Sequence, residues 1–437
     1  MLDRLQFLLN RIRERLWVRP LIMAVLSVFA AFVAKSADHV AFLQSVPEVS
    51  FDSLKTLLSV ISSSMLVIAT FSVASMVSAY ASASGTATPR TFPLILADDV
   101  SQNALSTFIG AFIFSIVALV TLLNSYYDTA GRFALFVLTL AVFAVVILTF
   151  VRWVDRIARL GRLGTTVDKV EAAVQAAVNR RRKRPCLGGV PRSSAPGEEA
   201  GVAVFTDDIG YIQRIDMEEL QHCARAHGLR VSIDALPGTF MTPDRPLARV
   251  SADSDESDEA EKSDKPDQSD EPKRPTVEDI ERIRRAFVIG HDRLFDDDPR
   301  FGIIVLAEIA SRALSPAVND PGTAIDIIGT LVRLLMAWNE ERSEDDDDGP
   351  EYDRIRVPPI SVDDLFDDAF TGIARDGAGT IEVATRLQKA FRTLSSTDRA
   401  SLSSAANHHS RLALERARLK MSLPADFEKL QQVANGN

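Results

Sequence analysis

The sequence runs to 437 residues, more than one compact domain holds, so two or three units are expected. Its net charge of −10 argues against nucleic acid as a main partner, because neutralising phosphates takes a clustered excess of Lys and Arg. Only two cysteines are present, Cys186 and Cys223, which excludes a disulfide framework and leaves no cysteine pair at metal-ligand or redox spacing.

The charge is unevenly spread. Between Leu16 and Val154 ionisable residues are scarce and Leu, Val, Ile, Phe and Ala dominate, whereas beyond Asp155 charges are dense and apolar runs are short. A helix needs about 20 apolar residues to cross a bilayer core, and only helices satisfy their own backbone hydrogen bonds in lipid. Four segments meet that requirement, at about 17–34, 57–80, 105–123 and 133–154, each free of ionisable residues in its interior. The first follows Arg11, Arg13, Arg15 and Arg19 and lacks a small-residue cleavage site before Lys35, so it reads as a retained anchor. Arg4 and these arginines precede the first span, Arg152, Arg156, Arg159 and Arg162 follow the fourth, and the loop between spans three and four holds only Arg132. That asymmetry puts both termini in the cytoplasm. Trp17, Tyr126, Tyr127 and Trp153 fall near span ends, where amphipathic aromatics favour the interface.

The second span is uncharged from Thr56 to Pro89 yet carries ten Ser and Thr hydroxyls between Ser59 and Ser84. Close helix packing through small residues is one account, and a pore lined by small polar groups is the other. The pore-lining candidates are Ser64, Ser75, Ser78 and Ser82, the last three on one helical face. No ionisable residue sits in mid-membrane, which disfavours proton coupling. Gly85 to Pro93 breaks this helix, and Asp98 and Asp99 then open the third.

Leu160, Leu163, Val167, Val170, Val174 and Ala177 recur at three- and four-residue steps, a short seam that extends the fourth helix into the cytoplasm and packs either on its own chain or, the reading slightly favoured, on a second subunit. The basic run Arg180 to Arg184 closes it, as a solvated helix end or a lipid headgroup contact. Residues 201–250 alternate in strand-like fashion around a helix at Met217 to His227, which gives a small α/β module with a turn at Pro237-Gly238. Residues 251–275 have nothing to bury and form a disordered acidic insert, and Glu344 to Asp348 is a solvated loop rather than a calcium site. The rest is helical, with Asp320 before Pro321 in the form of an N-cap.

The fold class expected is therefore an α-helical membrane protein of about four transmembrane helices, with a cytoplasmic region made of a small α/β module and a mostly helical C-terminal part. Its divisions are a transmembrane domain at 1–154, a helix continuing the fourth span at 155–184, the module at 201–250, the insert at 251–275 and a helical domain at 276–437. None of the six histidines forms an i, i+4 metal pair with a carboxylate partner, and no phosphate loop or nucleophile elbow is present. No cofactor, no metal and no enzymatic activity are expected. The densest polar group near an apolar stretch is Glu308, Arg312, Asn319 and Asp320, read as an internal ion pair with a helix cap, or as an ion or small-molecule contact.

The stretch Ala307 to Ala324, with its Ser-Pro-Ala-Val-Asn-Asp-Pro core from Ser315 to Pro321, resembles the signature of the bacterial predicted membrane proteins grouped as domain-of-unknown-function family 2254. Ser63-Ser64-Met65, Pro89-Arg90, Thr107 to Gly110, Leu236 to Phe240, Phe287 to Gly290 and Phe301-Gly302 agree, while Asp244 and the insert after Val250 depart from the pattern. The resemblance implies a bacterial inner membrane location and no particular activity. Two functions are carried forward: an oligomeric channel-like protein with a pore lined by the second span, and a membrane-anchored scaffold or sensor whose cytoplasmic part binds a partner or small ligand.

Overall fold

The computed structural model describes residues 17–39, 46–86, 88–96, 99–159, 162–192, 201–252, 274–339 and 349–436. The chain divides into two compact units, 1–166 and 167–437. Arg4, Arg11, Arg13, Arg15, Asp98, nearly all of the acidic insert and the run Glu344 to Asp348 lie outside the described residues.

The first unit is a bundle of long apolar helices: α1 (Val18–Val33), α2 (Phe51–Thr86), a short α3 (Phe92–Leu96), α4 (Asp99–Leu123) and α5 (Thr129–Arg159). α4 is central and packs against α1, α2 and α5. It is also the helix with small residues on several sides. Gly110 lies so close to Met23 and Ser27 of α1 that an added Cβ would meet both at 3.2 Å. α1 falls within its expected span, whereas α2, α4 and α5 exceed theirs at one or both ends, and the second grows to 36 residues. The extra turns carry charges: Asp52 and Lys55 in α2, Asp99 in α4, and Arg132, Asp155 and Arg156 in α5.

Those extensions bear on one expectation. Trp153 faces the interior of the bundle rather than its surroundings. It lies inside a helix that continues to Arg159, is 1% exposed, and meets Phe108 edge-on at 6.1 Å. Tyr127 is likewise buried, donating its hydroxyl to the Ala31 carbonyl oxygen at 2.6 Å, while Tyr126 stays exposed with the Lys35 ammonium 5.6 Å from its ring.

The second unit opens with α6 (Leu163–Lys183), followed by β1 (Gly189–Pro191), β2 (Val202–Val204), β3 (Gly210–Ile215), α7 (Met217–His227), β4 (Leu229–Ile233), β5 (Phe240–Met241) and β6 (Ala248–Ala252). After the insert come α8 (Val277–Arg285), β7 (Phe287–Gly290), α9 (Pro299–Ala313), α10 (Pro321–Asn339), β8 (Tyr352–Val357), α11 (Val362–Asp376), α12 (Ile381–Ser395), α13 (Ala400–Lys420) and α14 (Pro424–Asn435). Continuity of the fourth apolar helix with α6 turns on residues 160 and 161, which lie outside the described residues.

The sheets draw on more chain than the 201–250 module. One has five strands in the order β1-β8-β4-β6-β2, and the other three in the order β5-β3-β7. β8 runs parallel to both β1 and β4, so residues 352–357 from the middle of the expected helical domain complete the module's sheet. Leu220, Cys223 and Ala224 of α7 and Ile283 of α8 are buried with the sheet residues Val231, Ile233, Val250 and Ile355 in one apolar cluster.

The seam on α6 is also settled. Val167, Val170, Val174 and Ala177 are buried within the chain, and a Cβ at Gly302 of α9 would collide with Val174. Glu171 adds a two-pronged pair with Arg333 of α10 at 2.8 Å, so the seam closes on its own unit and not on a second subunit. The basic run after it is also engaged: Arg180 donates to the Asp296 backbone oxygen, and Arg184 lies 3.4 Å from Glu351.

Candidate functional site

The hydroxyls of α2 divide between two faces. Ser62 and Ser72 turn inward and are buried, whereas Ser64, Ser78 and Ser82 are exposed and Ser75 sits at the boundary. Several of the rest bond back along their own helix: Ser63 to the Ser59 carbonyl oxygen at 2.9 Å and Thr70 to that of Leu66 at 2.8 Å. Such back-bonding makes a hydroxyl tolerable in lipid without a pore. The candidate residues therefore share a stripe on the outside of the bundle rather than the wall of a channel inside it.

At the polar cluster the cap expectation is met. Asp320 accepts the Thr323 N–H at 3.1 Å and its hydroxyl at 2.6 Å, and these two bonds hold its carboxyl below the usual carboxylate range. Asn319 takes a left-handed conformation, φ 50°, which lets its N–H reach back to the Ser315 oxygen at 2.8 Å. An asparagine bears that conformation at lower cost than most residues. The turn it closes is exposed from Pro316 to Asn319. Glu308 is half-buried and Arg312 exposed on the last turns of α9, so this cluster lies at the surface beside the turn.

Charge is buried instead just ahead of α9. Asp298 is 4% exposed, caps α9 by accepting the Phe301 N–H at 3.1 Å, and pairs with Arg293 at 2.7 Å. Burial pushes its carboxyl up, against the pull of Arg293. Gly238, at φ +89°, lies against this pair. The glycine of the Pro-Gly turn is thus needed twice, for its backbone conformation and for the absence of a side chain.

One constellation went unseen in the sequence. Cys223 and His227 stand one turn apart on α7, and Asp279 joins them from the first turn of α8, 56 positions beyond the cysteine. Their donor atoms lie within 4.8 Å of one another. His227 Nδ1 is 2.6 Å from Asp279 Oδ1, and Cys223 Sγ is 3.9 Å from the same oxygen. Asp279 Oδ2 is occupied by the Thr276 N–H at 2.9 Å and hydroxyl at 2.8 Å, a reciprocal capping box. Burial would raise the Asp279 carboxyl, but the Thr276 bonds and the nearby His227 hold it below the ordinary value. The Cys223 thiol goes the other way, raised by burial and by the charge of Asp279. Two signals for this group were available, Cys-x-x-x-His on an amphipathic helix and Thr-x-x-Asp opening the next one. What joins them is the packing of α7 on α8.

Against protein-family models, residues 13–393 match the family described as "Predicted membrane protein (DUF2254)". The chain belongs to this family. Among curated proteins it is similar to uncharacterized proteins of Mycobacterium tuberculosis and Mycobacterium bovis, 47% identical over 51 residues. That match covers 12% of this chain and 10% of each relative. No solved structure matches. The stretch Ala307 to Ala324, on which the resemblance to the family rests, occupies the end of α9, the exposed turn closed by Asn319, and the capped start of α10. Membership agrees with the five described helices that are long and apolar enough to cross a membrane, four of them in the first unit and α10 in the second.

Proposed function

We propose that this protein crosses the bacterial inner membrane four times, through α1, α2, α4 and α5, with both termini in the cytoplasm, and that it acts there as an oligomeric, channel-like protein. α4 has 25 residues and rises about 37 Å, enough for a hydrocarbon core of about 30 Å. The bundle's charges gather at two ends. One end holds Arg19, Asp99, Arg152 and Arg156, and the other holds Lys35, Asp38, Asp52, Lys55, Asp128 and Arg132. The excess of arginine at the first end supports its cytoplasmic placement. α10 differs from the other four apolar helices in carrying Asp326 and Arg333 in its interior, which favours a place outside the bilayer.

The observation that carries the channel reading is the exposed stripe of Ser64, Ser78 and Ser82 on α2. Among the described residues these hydroxyls lie on the outer face of α2, and such a face suits packing against a second copy, where the same stripes would surround a polar path. The reading includes no catalytic role, no nucleic-acid partner and no cofactor requirement. Purified protein in liposomes is expected to pass ions, and Ser78→Trp, on the exposed face, to change that conductance. Absence of flux across voltage, tension and ligand conditions would remove the reading. Ser75 is a poorer choice for that test because it sits against the packed face.

A scaffold or sensor is the second reading. It is supported by the exposed turn from Pro316 to Asn319, where Val318 is 51% exposed within the stretch that carries the family resemblance. One stoichiometric partner recovered from native membranes by the wild-type protein, and lost with Val318→Asp, would favour it over the channel.

A further inference from the structure

The geometry points to a binding site for one zinc-class divalent ion at Cys223, His227 and Asp279, independent of the channel reading. A sulfur, an imidazole nitrogen and a carboxylate oxygen form a donor set that favours zinc or cobalt over magnesium or calcium, which take oxygen ligands. Three protein ligands with a fourth position open is the arrangement of an accessible zinc site rather than a closed structural one.

Zinc bond lengths of about 2.0–2.3 Å place tetrahedral ligands about 3.4–3.6 Å apart. Sγ and Oδ1, at 3.9 Å, are already near that spacing. His227 Nδ1, at 2.6 Å from Oδ1, has to withdraw by somewhat less than an ångström. It is free to do so because its side chain is 48% exposed while that of Asp279 is 3% exposed. The fixed donors are on rigid elements, and the adjustable one faces solvent.

The surroundings complete the case. Both bonds from Thr276 go to Asp279 Oδ2, which leaves Oδ1 aimed at the group and fixes its direction, as outer partners do for metal ligands. Arg282 is the nearest competing cation, and it is held aside by Glu219 at 2.5 Å and by contact with His222 Nδ1 at 3.1 Å. The alternative is a plain His227–Asp279 ion pair at the end of α7, where a cationic histidine also suits the helix dipole. Such a pair has no use for the thiol, so the cysteine separates the two accounts.

The test uses the full-length protein in detergent, stripped with a chelator and titrated with Co²⁺ and then Zn²⁺. One equivalent of cobalt is expected to give a thiolate-to-metal charge-transfer band that zinc displaces. Cys223→Ser should abolish the band, His227→Gln should weaken binding more than about ten-fold, and Cys186→Ser should leave both unchanged. His227→Gln replaces a half-exposed side chain, so a circular-dichroism melt close to wild type keeps its result interpretable. A titration with no thiolate band, a band that survives His227→Gln undiminished, or one lost with Cys186→Ser instead would each overturn the site.

Discussion

Gly238 combines a positive φ with two charged side chains, those of Asp298 and Arg293, packed where a Cβ would project. Gly238→Ala is expected to cost about 1–3 kcal/mol, the usual penalty for forcing an L-residue into that conformation, read as a lower unfolding midpoint of the purified protein. Asp320→Ala should cost about 1 kcal/mol by orphaning the first N–H groups of α10, and Asp320→Asn less, since an amide oxygen still accepts from Thr323. His409 offers a pH test. It is 3% exposed, stacked near Phe366 and Phe391, and burial holds its pKa below the ordinary histidine value, partly offset by Asp367. Its folded pKa lies under its unfolded one, so the stability it lends is complete above about pH 6.5 and is lost as the pH falls through that folded value. Unfolding midpoints taken from about pH 8 to about pH 5 should fall less for His409→Phe than for wild type; equal slopes would remove the histidine from the account. At this scale the sequence told what a residue does to its own backbone and little of what it meets. The Asp320 cap is local and could be read from Asp-Pro-Gly-Thr. Trp153 and Cys223 acquire their roles from neighbours on other helices.

Elements were legible where hydropathy or periodicity was strong. The four apolar helices fall within two turns of expectation at each end, and α7 to β4 within a few residues, because a long apolar run or a clear helical face admits few alternatives. The short strands β1, β2, β7 and β8 were missed, since three to six residues carry little periodicity and β8 pairs with a strand more than a hundred residues earlier. The α6 seam shows a different limit. Its spacing was correctly helical, yet a stripe of valines does not say whether it will meet its own chain or another. With Val170 fully buried and Val174 1% exposed, Val174→Ala should destabilise the protein by about 2 kcal/mol and leave its particle mass in detergent unchanged. Dissociation to a smaller particle without loss of stability would restore the intersubunit reading.

On the scale of the whole molecule, exposed apolar side chains are distributed unequally between the two units. In the first they recur along every long helix, with Phe29, Val67, Phe71, Leu148 and Val151 each more than 60% exposed, which water would penalise and lipid would not. In the second they are scattered, and the apolar residues of α9, α10 and α12 are mostly turned inward. α10 is the disputed element, apolar and long enough to span yet packed between α9 and α12 and tied to α6 through Arg333 and Glu171. A chain starting at Leu163 separates the two possibilities. If α10 belongs to a water-soluble fold, that fragment should stay in the supernatant after ultracentrifugation without detergent, run as a single species and unfold cooperatively, while the full-length chain resists alkaline extraction from membranes. A fragment that sediments with membranes or aggregates until detergent is added would make α10 a fifth span. That outcome would move everything after it, including β8, to the opposite side of the bilayer from β4, in conflict with the β4–β8 pairing. The parallel ladder between Val231-Ser232 and Ile355-Arg356 is therefore the strongest argument for four spans, and the fragment's solubility is the measurement that decides it.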